Sequence, residues 1–132
     1  MAKKNARTSD SCPCGSGKPL TDCCARWFVA HNAPDAESLM RSRYTAYSLG
    51  MVDYLLATWH ESKRPSNLEL EEDMRWIGLK IVDRQAGKPG DDRGVVQFIA
   101  RYKATNGCAG RMEERSRFVF EQGRWFYLDA ED

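Results

Sequence analysis

Four of the five cysteines in this 132-residue chain fall within thirteen residues, in the run Cys12-Pro13-Cys14-Gly15-Ser16-Gly17-Lys18-Pro19-Leu20-Thr21-Asp22-Cys23-Cys24. Four thiols this close around a Gly-rich bend supply the donors of a closed tetrahedral zinc site, in which thiolates hold the ion at about 2.3 Å. Cys12 and Cys14 lie one residue apart, so both can face one ion from a tight bend. Gly15 and Gly17 permit positive φ and bring backbone N–H groups close to the sulfurs. Those N–H groups, with Lys18 nearby, offset part of the negative charge of a zinc tetrathiolate. Thr21 or Asp22 can cap a short helix starting at Cys23. Disulfides are the alternative, but a Cys23–Cys24 bridge would be vicinal and rare. His31 is a further candidate ligand in place of one cysteine.

The whole string resembles the SEC-C motif, the zinc-binding tail of the SecA translocation ATPase. Residues 12–18 match that motif position by position, and Cys23 and Cys24 close it. The resemblance implies one structural zinc ion with Cys12, Cys14, Cys23 and Cys24 as ligands. Cys24 stands where the translocase tail usually carries His, which changes charge rather than competence. Pro19-Leu20-Thr21-Asp22 replaces a more basic, aromatic stretch.

A knuckle this short cannot bury a core, so metal binding would supply its folding energy. The remaining hundred or so residues can build one domain. The chain divides into a disordered basic arm (1–11), a zinc knuckle with connector (12–34) and an α+β domain (35–132). Composition is that of a globular protein, 42% hydrophobic and 30% charged. A net charge of +1 argues against binding driven mainly by nucleic-acid phosphates. Residues 1–34 nevertheless carry Lys3, Lys4, Arg7, Lys18 and Arg26 against Asp10 and Asp22, a basic bias that can assist contact with RNA, a ribosome or an acidic partner. The first residues lack the apolar stretch of a signal peptide, and no run approaches the ~20 apolar residues of a membrane span. Clustered thiols without an export signal point to a reducing cytoplasm. Cys108 stands alone in the turn Asn106-Gly107-Cys108-Ala109-Gly110, with no neighbouring base to activate it.

Asp35 caps a helix whose stripe is Leu39, Met40, Tyr44 and Tyr47 and whose stop is Gly50. A second helix is expected over 52–59. A third is signalled by the capping-box pattern Ser66-Asn67-Leu68-Glu69. From Trp76 the period becomes two, with turns at residues 87–92, at Asn106-Gly107 and at Gln122-Gly123. Helices followed by long hairpin-linked strands make an α+β fold, with a twisted, curved sheet wrapped on the helices.

The blocks Leu39-Met40-Arg41-Ser42-Arg43-Tyr44-Thr45-Ala46-Tyr47, Tyr54-Leu55-Leu56-Ala57-Thr58-Trp59-His60 and the closing Gly123-Arg124-Trp125-x-Tyr127 resemble the bacterial YchJ-like family. That resemblance implies a SEC-C knuckle joined to a nuclear-transport-factor-two-like, or ketosteroid-isomerase-like, domain. Such a domain is a cystatin-like cone of curved antiparallel sheet on a long helix, often with a pocket at its wide end.

Cones of this kind host enzymes, ligand binders and dimerisation modules. The candidate pocket constellation is Arg41, Arg43, Tyr44, Tyr47, Trp59 and His60, with Arg101, Glu113 and Arg115 from the sheet. His60 is a candidate acid or base, a Tyr can donate to an oxyanion, and an Arg can hold a carboxylate. The plainer readings are a core role for the aromatics, ion pairs for Arg41 and Arg43, and a helix cap for His60. No catalytic set can be assigned. The leading expectation is a cytoplasmic adaptor, enzymatic activity not being required, that binds a protein partner through the zinc knuckle. The alternatives are a small-ligand or enzymatic pocket around Arg41, Tyr44 and His60, and a ribosome- or RNA-associated factor. A homodimer through the sheet is a further expectation.

Overall fold

The computed structural model describes residues 11–131. The basic arm expected at the N-terminus lies, save for Ser11, outside them. Two short 3-10 turns, Leu20–Asp22 and Cys24–Trp27, precede the long helix α1 (Ala36–Leu49) and the short helix α2 (Val52–Ala57). Four strands follow: β1 (Met74–Ala86), β2 (Arg93–Ala104), β3 (Ala109–Glu121) and β4 (Arg124–Ala130). They form one antiparallel meander in the order β1-β2-β3-β4. The expected α+β cone, a curved antiparallel sheet on N-terminal helices, is therefore the architecture present.

Local chemistry sets the ends of α1. Asp35 accepts a hydrogen bond from the Ser38 N–H at 2.7 Å, satisfying an orphan donor of the first turn. At the other end Gly50 adopts φ 76°. The Met51 N–H then reaches the Ala46 carbonyl at 2.8 Å, closing a Schellman motif. The helix start is also tied to the sheet, because the Ala36 N–H donates to the Gly87 carbonyl at 2.9 Å. A Cβ at Gly94 would lie 2.5 Å from the Gly87 Cα, so this junction closes only with glycine.

Three strands run to twelve or thirteen residues, longer than is usual for globular sheets. Register shifts in β1 at Trp76/Gly78 and Ile81/Asp83, and in β4 at Leu128 opposite Arg117/Phe118, bend the sheet around α1. The β3–β4 turn is the tight two-residue kind, with positive φ at both Gln122 and Gly123. One face of the sheet carries Val96, Phe98, Ala100 and Phe118 into the core with Leu39 and Met40. The other carries Arg115 and Arg117 in ion pairs with Asp83, Glu131 and Asp129.

Two helix expectations need correction. The second helix stops at Ala57, not residue 59, because the chain turns aside to add a short parallel bridge between Trp59 and Tyr127 of β4. The His60 N–H donates to the Tyr127 carbonyl at 2.7 Å, and the Tyr127 N–H to Thr58 at 2.8 Å. The third helix, expected at Ser66-Asn67-Leu68-Glu69, does not form. Leu68 and Leu70 are both half-buried against the Tyr54 and Leu55 cluster. Residues two apart share a side only in extended chain, and a helix this short cannot repay its nucleation.

Gly94→Ala should cost about 1–3 kcal/mol through overpacking against Gly87. Gly78→Ala, which meets open space, should stay within about 0.5 kcal/mol of the parent. Urea unfolding of the two variants checks both expectations.

Candidate functional site

The knuckle is a miniature hairpin. The Cys12 N–H donates to the Lys18 carbonyl at 2.8 Å, and the Gly15 N–H returns to Cys12 at 3.0 Å. Gly15 and Gly17 both take positive φ. Cys23 lies at the joint between the two 3-10 turns, with φ −130° and ψ −114°. That break in the helical path lets adjacent Cys23 and Cys24 both reach the centre.

The four Sγ atoms lie within 4.8 Å of one another, with Cys14 and Cys23 3.6 Å apart. A tetrahedron with 2.3 Å metal–sulfur bonds has edges of about 3.8 Å, so the donor set fits a tetrahedral metal. All four residues are buried. Hydrogen bonding from Cys14 and Cys24 pushes the Cys12 pKa far down. Cys14 and Cys24 are pushed up, first by their hydrogen bonding to Cys12. His31 is not part of the cluster; its ring lies against Tyr54 at 5.4 Å. Cys108 is exposed in the β2–β3 turn.

Helix α1 supplies the surroundings of the sulfurs. The Thr45 hydroxyl donates to Cys24 Sγ at 3.3 Å and lies 3.5 Å from Cys12 Sγ. Arg41 Nη1 donates to the Cys14 carbonyl at 2.9 Å and approaches Cys14 Sγ at 3.8 Å. Arg41 Nε is paired with Glu37 at 2.9 Å, and Glu37 also binds Arg84 of β1. The knuckle therefore packs directly on the cone, and its cysteines share one core with Leu39, Met40 and Tyr44.

On the other side of α1 lies a chamber of about 330 Å³, partly open to solvent, between the helix, Trp59 and the inner face of the sheet. Met40, Trp76, Phe98, Ala100 and Phe118 give it apolar walls. Its polar groups are Arg43, Tyr44, Tyr47, Glu114, Ser116 and Tyr127. Arg43 is 5% exposed. Its Nη1 donates to the Leu55 carbonyl and to Thr58 Oγ1, each at 2.7 Å. Its guanidinium carbon lies 4.6 Å from the Tyr127 ring centre and 5.1 Å from that of Trp59. Burial pushes its pKa down. Glu114 accepts from Ser116 at 2.7 Å and from Tyr127 at 3.0 Å. Burial and the Glu114 charge push the Tyr127 hydroxyl pKa up.

Of the expected pocket residues, Tyr44, Tyr47 and Trp59 line this chamber, together with Arg43. Arg41 does not; it is turned toward the knuckle. His60 lies outside as well, with Nε2 2.9 Å from Glu121 and Nδ1 2.7 Å from Ser62. Arg115 and Glu113 belong to the outer face, where both bind Gln97. Arg101 is exposed there too. Sequence reasoning missed Glu114 and Tyr127. The signal for Glu114 was its alternation with Phe118 and Ser116 on the inward face.

A four-thiol knuckle seated on a curved sheet and one long helix defines a SEC-C motif protein with an NTF2-like cone. The family described as "YchJ, middle NTF2-like domain" matches residues 35–130, and the SEC-C motif matches residues 9–26. The chain belongs to this YchJ-like family. It is 52% identical to a UPF0225 protein of Chromobacterium violaceum, covering 98% of this chain and 96% of that one. A UPF0225 protein of Bordetella pertussis is 47% identical, with 98% of each covered. The solution structure of a SEC-C motif containing protein from Rhodopseudomonas palustris superposes with a TM-score of 0.78 at 33% identity, over 92% of this chain and 97% of that one. A crystal structure of a SEC-C motif containing protein from Psychrobacter arcticus gives 0.75 at 24% identity, over 92% and 82%, and speaks for the fold alone. Among the described residues no helix is long and apolar enough to cross a membrane.

Thr45→Val keeps the shape and removes the hydroxyl beside two sulfurs, so metal affinity should fall about 10–100-fold in competition with a chromophoric chelator. Burial opposes ionisation of Glu37, but Arg84 and Arg41 outweigh it and hold its pKa below the usual 4.5. Its contribution to stability is complete above that value and is lost as the pH falls through the lowered folded pKa. Glu37→Gln should therefore be less stable at neutral pH and lose less on acidification below pH 4.5, as read by unfolding midpoints across pH.

Proposed function

We propose that this protein is a small-ligand-binding cone stapled by one structural zinc ion. The observation that carries the ligand-binding half is the chamber, which has apolar walls and a buried arginine hydrogen-bonded to no carboxylate among the described residues. Ligand sites are concavities of this size class, mostly apolar with a few convergent polar groups. The zinc half rests on the sulfur-only donor set and the SEC-C motif. Tetrahedral four-sulfur sites suit zinc or iron–sulfur chemistry, and four filled positions leave no opening for a reactive water. Cys12, Cys14, Cys23 and Cys24 would hold the ion, whose work is to hold the knuckle against α1. Unpaired buried thiols of this kind belong in a reducing cytoplasm.

A second reading keeps the knuckle as the contact surface of an adaptor. It is favoured by Val29, 94% exposed, and by exposed Lys18 and Arg26, the latter stacked over Trp27 at 4.4 Å. That rim would meet an acidic protein surface with an apolar notch.

Protein purified without added metal should carry one zinc per chain, and Cys12→Ser should lose it. Chelation should lower the melting temperature of the whole domain in one transition, because the knuckle and cone share a core. A protein that binds no zinc, or that melts unchanged after chelation, overturns the staple.

A further inference from the structure

Arg43 is the odd group in the chamber. A buried guanidinium is normally matched by a carboxylate, because an uncompensated charge away from water is costly. Here Nη1 is used by two neutral acceptors, Leu55 O and Thr58 Oγ1. The rings of Tyr127 and Trp59 cover the guanidinium. Among the described residues Nε and Nη2 make no hydrogen bond, which leaves free the side-on fork that matches a carboxylate bidentately.

The indole Nε1 of Trp59 also has no hydrogen-bond partner among the described residues, but it is sealed within the packing rather than open to the chamber, so the fork of Arg43 alone asks for oxygen.

Glu114 sets the limit on charge. It is close enough for its charge to be felt at Arg43, yet its own donors are Ser116 and Tyr127. Arg43 and Glu114 already sum to zero, so one negative charge on a ligand has only the free Arg43 fork to meet it. A second would stand uncompensated beside Glu114. The walls of Met40, Phe98 and Phe118 meanwhile offer nothing polar to the rest of the molecule.

We propose that the chamber binds a small monocarboxylate with an aromatic or branched aliphatic body, its carboxylate held by Arg43, its body against Met40, Phe98 and Phe118. This rests on the reading of the chamber as a ligand site, and it adds the ligand's charge and class.

The test is calorimetric titration of the zinc-loaded full chain with phenylacetate, 3-phenylpropionate, indole-3-acetate and 4-methylvalerate, each beside its primary amide, plus phenyl phosphate. At least one carboxylate should bind tenfold or more tightly than its amide, and tighter than the phosphate. Arg43→Gln should erase that preference, and Ala100→Leu, which fills the chamber, should block all binding. Amides that bind as well as the acids, or a phosphate that binds best, overturn the carboxylate while leaving the chamber a ligand site. Binding by none of the compounds, or binding untouched by Ala100→Leu, overturns the chamber itself. Should Arg43→Gln fail to fold, the acid-to-amide ratio in the parent protein and the Ala100→Leu result decide the matter.

Discussion

The contact between four cysteines and one face of α1 is what the rest of the molecule is built around. A knuckle of this length has too little apolar surface to hold itself together. Its sulfurs instead enter the main core beside Leu39, Met40 and Tyr44. Thr45 and Arg41 then supply the polar groups that a cluster of thiolates demands when taken out of water. The Glu37 carboxylate, shared by Arg41 and Arg84, extends the same seam to β1. The individual ion pairs are partly exposed and weak singly. Their value lies in fixing the angle at which knuckle, helix and sheet meet.

Much of this was legible because it is local. The cysteine run, the Asp35 cap, the Gly50 stop and the hairpin turns each depend on a few neighbouring residues, and each appears where the sequence puts it. What failed depended on distant partners. The capping box at Ser66 is a sound local signal, overridden because Leu68 and Leu70 must reach the Tyr54 cluster in extended form. The second helix is cut short by pairing with Tyr127, and that same turn carries His60 away from the chamber toward Glu121. Arg41 was drawn from the chamber by a backbone carbonyl in the knuckle, which no periodicity could disclose. Arg43 was more readable: it falls three and four residues after Met40 and Leu39, on the buried stripe of the helix.

The chamber shows how a core can carry polar groups without losing cohesion. Each of its charges is held by a different device. Glu114 is met by two hydroxyls, and Arg43 by aromatic faces and neutral oxygens. A direct Arg43–Glu114 salt bridge would have closed the space and left no donor to spare. Keeping the two charges apart preserves both the void and its polarity.

Helix α1 has almost no idle side. Met40, Arg43, Tyr44 and Tyr47 line the chamber, Arg41 and Thr45 meet the knuckle, and Ser42 bonds the Tyr54 hydroxyl at 2.6 Å. An ordinary amphipathic helix spends half its circumference on water and drifts freely there in evolution. This one is committed all the way round over residues 39–47. Its tolerance to change is therefore flat rather than periodic, and a neutral walk through sequence space must go around this segment instead of along its outer face.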